Sequence, residues 1–354
     1  MLDDIKKIKQ LDSKNMLGSI ELLQGQADEV QKAAQKLKLP NNYSSVKNIV
    51  LAGMGGSTLG THVIKSLFYR QLPIPLEIAN NYYLPDYVDE NTLVVLSSYS
   101  GNTEEVLNAA QEALKKRARI VAITKGGKLE KWSKKNHLPT IVYETKNNLC
   151  GSPRMGVGYA LFGQIFLLAK LGFLKFSKTQ INLAKTVTGS FLFKYGVKIP
   201  LQNNPAKQLA AKINENSVWF IGSEHLSGNV HTAANQINET AKRFAGYHLL
   251  PELNHHLLEG MFFPKSNPKN LLFILFTSDL YDKRVQKRYA ITEDILRKNK
   301  INYSVYRFKS KDRLSQVCEA LVLSSYVSFY SAVINGIDPT AIPYVDYFKK
   351  QMSK

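Results

Sequence analysis

The chain has 354 residues, 44% of them hydrophobic, enough for two packed cores and too apolar for wholesale disorder. Its formal charge of +19 is spread over lysines such as Lys115-Lys116 and Lys134-Lys135, with no helix-turn-helix, zinc-finger or RRM-type signature, so no nucleic-acid partner is expected. Cys150 and Cys318 form neither a disulfide framework nor a metal-ligand spacing, no apolar run approaches the ~20 residues of a membrane span, and Met1-Leu2-Asp3-Asp4-Ile5-Lys6-Lys7 is no secretory signal; a cytoplasmic location without membrane contact is expected.

Residues 1 to about 40 read as one or two amphipathic helices ending near Leu39-Pro40-Asn41-Asn42, in a segment 1–45 expected to pack on the α/β region that follows. From residue 46 strand and helix alternate. Strands are expected at 48–52, 75–79, 92–97, 119–124 and 139–143, and helices at 58–69, 103–116 and 127–136. The apolar, β-branched runs among them suit buried parallel strands, and the βα alternation implies right-handed crossovers with helices on both faces. Cys150 to Gly158 is a break, and an apolar helix at 159–171 is expected to link two halves. After Gly196 the alternation resumes, with strands at 217–221, 271–276 and 302–307 and helices at 227–244, 281–299, 312–333 and 340–352. Ser217-Val218-Trp219-Phe220-Ile221-Gly222-Ser223 echoes the first strand-glycine turn, so two copies of one α/β unit, 46–185 and 186–354, are the economical architecture.

Two strand-to-helix turns carry the chemistry. Gly53-Met54-Gly55-Gly56-Ser57-Thr58 follows the first strand, and Ser97-Ser98-Tyr99-Ser100-Gly101-Asn102-Thr103 ends the third. Free backbone N–H groups and the positive end of a helix dipole favour an anion there, and short hydroxyl side chains can ligate phosphate oxygens. Ordinary helix caps use the same residue types. The first turn lacks the Gly-Lys-Ser/Thr ending of a P-loop, and Thr58 stands where a dinucleotide fingerprint needs its third glycine. Two serine-rich turns in one unit point to a sugar phosphate.

In that setting Met54-Gly55-Gly56-Ser57 and Ser98-Tyr99-Ser100-Gly101-Asn102-Thr103 resemble the sugar isomerase (SIS) fold. The chain from about residue 45 onward resembles the bifunctional phosphoglucose/phosphomannose isomerase family. Pro153-Arg154, Asn238-Glu239-Thr240-Ala241-Lys242, Pro251-Glu252-Leu253-Asn254-His255-His256, Asp338-Pro339-Thr340 and Val345-Asp346-Tyr347-Phe348-Lys349 follow in the family's order. The resemblance implies two SIS-type, flavodoxin-like, doubly wound parallel-sheet subdomains after an N-terminal helical segment. It also implies a cofactor-independent aldose–ketose isomerase of hexose 6-phosphates, acting through ring opening and a cis-enediolate.

Residue by residue, the resemblance makes Glu239 the base, His255 and Lys349 the ring-opening groups, and Arg154 the cation that stabilises the enediolate. Lys350 competes with Lys349 for its role. Gly56, Ser57, Ser98, Ser100 and Thr103 would hold the phosphate, and Thr340 would lie beside C2–C3, leaving room for that bond to rotate and both epimers to react. A homodimer whose sites share His255 between subunits is also implied. His255, His256 and Glu259 have helical metal-ligand spacing, but the family reaction needs no metal and none is expected. A non-catalytic SIS-fold sugar-phosphate-binding regulator is the alternative; it would keep the hydroxyl-rich turns and lose the base and the histidine.

Overall fold

The computed structural model describes residues 1–213 and 215–352. The chain divides into two compact units, Leu22–Thr186 and a discontinuous unit formed by Met1–Glu21 with Val187–Lys354. Two short helices open the chain, α1 (Ile5–Leu11) and α2 (Met16–Glu21), and both belong to the discontinuous unit.

The unit Leu22–Thr186 runs α3 (Leu23–Lys36), β1 (Asn48–Gly53), α4 (Gly56–Leu67), β2 (Leu76–Ala79), β3 (Thr92–Ser98), α5 (Glu104–Lys115), β4 (Arg119–Thr124), α6 (Gly127–Lys135), β5 (Thr140–Val142) and α7 (Val157–Lys170), and ends inside α8 (Lys178–Tyr195). All its strands are parallel, in the order β2-β1-β3-β4-β5. Val50, Ala52, Val94, Leu96, Ile120 and Ala122 point to one face and pack with Val106, Ala109, Ala110 and Ala113 of α5 and Leu129 of α6. The strands are buried on both faces, which is why they read as unbroken apolar runs. On the other face α4, α7 and α3 stack at glycines. A Cβ on Gly60 would lie 2.6 Å from Leu161 N, and one on Gly163 would lie 3.1 Å from Val30 Cγ2 and 3.5 Å from Ile123 Cγ2.

The discontinuous unit continues with α9 (Pro205–Ile213), β6 (Ser217–Gly222), α10 (Ser227–Ala241), β7 (Ala245–Leu249), α11 (Leu253–Gly260), α12 (Asn267–Asn270), β8 (Leu271–Thr277), α13 (Lys283–Lys298), β9 (Asn302–Arg307), α14 (Arg313–Ile334) and α15 (Pro343–Met352). Its sheet is also parallel, in the order β7-β6-β8-β9. Every residue of α14 from Leu314 to Val333 is buried. This corrects the expectation that no apolar stretch approaches spanning length: α14 is long and apolar enough by composition, and its burial against α2, α9 and α10 marks it as a core helix.

Three further expectations differ from the structure. The N-terminal helices do not pack as one piece on the first α/β region. Asp3 accepts from Lys207 Nζ (2.8 Å) and α2 packs on α14, so α1 and α2 join the discontinuous unit, whereas α3 packs on α7. The apolar helix α7 is internal to Leu22–Thr186, and the chain leaves that unit within α8. Strand β7 was not expected, and α10 ends at Ala241, three residues before the expected 244. Helix α10 stops at Lys242 in a left-handed conformation (φ 51°), and Asn238 closes the turn by accepting from Ala245 N (2.9 Å) and donating to Ala245 O (2.8 Å).

Helix propensity alone favours alanine over glycine at position 60 by about 1 kcal/mol. The backbone of α7 occupies the space an added methyl needs, so Gly60→Ala is expected to destabilise by about 1–3 kcal/mol, read as a lower urea midpoint at unchanged slope. A higher midpoint would show that α4 and α7 are not in this close contact.

Candidate active site

Both serine-rich turns lie at the carboxyl ends of neighbouring strands of Leu22–Thr186, where Gly53 pairs in register with Ser97. The strand order reverses at β1/β3, the usual place for a ligand crevice in an open α/β sheet. The turns are tied to each other. Tyr99 N donates to Ser57 Oγ (2.9 Å), Ser97 Oγ donates to Ser57 O (2.9 Å), and all three residues are buried. Ser98 Oγ lies 2.8 Å from Thr103 Oγ1 and accepts from Gly101 N (3.0 Å). Ser100 Oγ accepts from Asn102 N (3.2 Å). Thr103 is the N-cap of α5 but makes no side-chain cap bond, so its hydroxyl serves the turn.

Glycine is required here by space and by conformation. Gly101 has φ +68°, and a Cβ on it would lie 1.8 Å from Gly126 O. Gly56 starts α4, and a Cβ there would lie 2.8 Å from Pro153 C and 3.0 Å from Arg154 N. That contact seats the short 3-10 helix Pro153–Met155 on the first turn and places the buried Arg154 beside it. Gln26 of α3 fixes the segment, donating to Met155 O (2.8 Å) and accepting from Gly158 N (3.1 Å). Gly56, Ser57, Ser98, Ser100, Thr103 and Arg154 thus lie together in one unit.

Glu239, His255, Thr340 and Lys349 belong to the other unit. Glu239 lies in the last turn of α10 and is half-buried. Lys242, one turn on, donates to Asp338 O (2.6 Å) and Thr240 O (3.1 Å), tying the segment before Thr340 to the end of α10. Asp338 in turn accepts from Thr340 N (2.7 Å) and Ser13 Oγ (2.5 Å). Burial pushes the Asp338 carboxyl up, but hydrogen bonds from Ser13, Thr340 and Ala341 outweigh it and leave the pKa below the usual carboxylate range. Asn254 of α11 donates to Thr292 Oγ1 (3.0 Å) and accepts from Arg288 Nη1 (3.1 Å), leaving His255 and His256 exposed on the helix. Lys349 and Lys350 are exposed on α15, none of whose residues is buried.

The echo of the first turn at Gly222-Ser223 is topological and not chemical. Ser223 Oγ is spent on Leu250 O (2.7 Å), and Glu224 accepts from Asp282 N (2.7 Å). Asp279 and Asp282 crowd the same end of the sheet and pair with Arg307 and Arg284, an arrangement unsuited to a phosphate. Beneath it, His225 Nε2 lies 2.8 Å from Gln316 Oε1, which also accepts from Ser278 Oγ (2.6 Å). Reading the sequence missed a third turn that packs on the backbone of the second, Thr124-Lys125-Gly126-Gly127 after β4. Its Gly-Gly pair behind a buried strand is the available signal.

Two units, each built on a parallel sheet and one carrying two hydroxyl-rich turns at its switch point, define a SIS-type α/β protein. Residues 42–147 match the SIS domain family, and residues 202–352 match the bacterial phospho-glucose isomerase C-terminal SIS domain. A hypothetical protein of Thermus thermophilus shares the fold with TM-score 0.77 at 16% identity, over 99% of this chain and 93% of that chain. The bifunctional phosphoglucose/phosphomannose isomerase of Caldicellulosiruptor bescii is 30% identical over 96% of this chain and 99% of its own length. The enzyme of the same name from Thermoplasma volcanium is 27% identical over 86% of this chain and 91% of its own. The chain belongs to the bifunctional phosphoglucose/phosphomannose isomerase family and, with it, to the sugar-phosphate isomerases.

Loss of hydration holds the buried His225 imidazole down at about 4, against the raising effect of Gln316. In the unfolded chain it titrates near 6.5, so the unfolded state binds the extra proton as pH falls from about 6.5 to 4. Stability is therefore complete above about 6.5 and declines across that window by up to about 3 kcal/mol from this group. His231 and His248, also lowered by burial, act in the same direction. Urea midpoints measured from pH 4 to 8 should show the decline, and His225→Gln should flatten it; equal slopes would remove His225 from this role.

Proposed function

We propose that this protein interconverts glucose 6-phosphate and mannose 6-phosphate with fructose 6-phosphate, without metal or organic cofactor. The observation that carries this reading is the pair of locked, hydroxyl-lined turns with Arg154 seated against Gly56. Backbone N–H groups and the hydroxyls of Ser57, Ser98, Ser100 and Thr103 hold the phosphate and fix the register of the sugar. For ring opening, a proton leaves the anomeric hydroxyl and another reaches the ring oxygen, tasks assigned to Lys349 and His255. Glu239 then takes the proton from C2 of the open aldose and returns it to C1 as the hydroxyl proton shifts from O2 to O1. Arg154 balances the negative charge that develops on the enediolate oxygens. Thr340 borders C2–C3, where rotation presents the C2 proton of either epimer to the same carboxylate.

The exposure of His255 fits a group that completes a site in a second subunit, and a homodimer with shared sites is part of the reading. A cytoplasmic location accompanies it, as hexose 6-phosphates are intracellular metabolites.

The test is product analysis of chelator-treated protein given fructose 6-phosphate. Glucose 6-phosphate and mannose 6-phosphate should both form without added metal. One product only would keep the mechanism and remove Thr340 from its role; binding without turnover would identify a sensor. Glu239→Gln should lower turnover by about 10²–10⁴-fold with the fructose 6-phosphate Kd within about threefold of wild type. A comparable loss of binding would make Glu239 structural.

A further inference from the structure

The hydroxyl-rich turns offer a phosphate dianion neutral donors, and the helix that follows opposes it. The first turn of α5 carries Glu104 and Glu105, two negative charges at the end where the dipole favours an anion. The turn after β4 supplies a positive charge. It is lashed to the hydroxyl turn by three hydrogen bonds: Lys125 N to Tyr99 O (3.2 Å), Leu129 N to Gly101 O (2.8 Å) and Lys128 N to Asn102 Oδ1 (3.1 Å). Gly126 (φ +143°) and Gly127 (φ +74°) allow this approach, and a Cβ on Gly127 would lie 2.5 Å from Ser100 O. Lys125 is therefore held one residue from the contact between Gly126 and Gly101. Its exposed ammonium lies 5.2 Å from the centroid of the Tyr99 ring, the side chain between Ser98 and Ser100. That ring is buried and fixed by Asn148, which donates to its hydroxyl (2.8 Å), so it is a rigid platform for the lysine.

We propose that Lys125 is a phosphate-binding residue of this site, whose ammonium rests on Tyr99 and closes on the substrate's phosphate to offset Glu104 and Glu105. The assignment deepens the isomerase reading and rests on it for the identity of the substrate. Its chemistry concerns the phosphate alone. A flexible ammonium on a four-carbon stem can leave the ring for a nearby dianion, because a full counter-charge outweighs an exposed cation–π contact.

Inorganic phosphate is the probe, titrated by ³¹P NMR into the full-length protein at 50 mM and 500 mM salt. Lys125→Met is expected to raise its Kd about five- to tenfold at low salt, with the difference shrinking at high salt as screening grows. Lys125→Arg should return the Kd to within about threefold of wild type. Lys128→Met, which removes the same charge three residues away, should leave it within twofold. A change below twofold in Lys125→Met, or an equal change in Lys128→Met, would overturn the assignment. Isomerase turnover of the wild-type protein, measured separately, reports on the isomerase reading, and its failure would leave the phosphate result standing by itself.

Discussion

The bond from Tyr99 N to Ser57 Oγ is the constraint on which the site depends. Two loops on neighbouring strands each end a buried β-run with free backbone donors, and nothing in either loop alone fixes their separation. A serine at the start of α4 accepts from the backbone of the second turn, while Ser97 returns a bond to the serine's own carbonyl. Both bonds are buried, so breaking either would leave an unpaired polar group at a cost of about 1–3 kcal/mol. The hydroxyls are thereby held in place before any ligand arrives, and preorganisation of this kind is what charge stabilisation requires.

Around that link, the surrounding backbone approaches through glycines. Gly56 admits the peptide before Arg154, Gly101 admits the carbonyl of Gly126, and Gly127 admits the carbonyl of Ser100. Each approach is closer than any side chain permits. The backbone of Arg154 is thereby brought against the first turn, and the ammonium of Lys125 lies over the ring of Tyr99 in the second. The buried Arg154 and the exposed Lys125 differ accordingly: the first is fixed by its surroundings, the second is free to move on its tyrosine platform.

The two units share a parallel sheet and a switch point but not a chemistry. In the discontinuous unit the equivalent turn carries Glu224, the turn after β8 carries Asp279 and Asp282, all three paired with arginines, and Ser223 is turned inward to a carbonyl. That unit instead carries Glu239 at the end of α10, His255 on the exposed side of α11 and Thr340 in the segment between α14 and α15. Lys242 ties two of these together through its bond to Asp338 O.

The sequence by itself determined the fold class, because strands buried on both faces must be apolar throughout and runs such as Thr92 to Leu96 have no other stable use. It also located the two serine-rich turns, since glycine, serine and asparagine after such a strand mark a local backbone demand. Only the tertiary structure decided how α1 and α2 separate from α3, because a buried lysine finding Asp3 some two hundred residues away leaves no periodic trace. Strand β7 was hidden for a similar reason: a half-buried edge strand carrying Tyr247 and His248 lacks the apolar run that revealed its neighbours. The place of Lys125 was equally invisible, since its meaning comes from Gly126 resting on Gly101, a contact between backbones that no local pattern encodes.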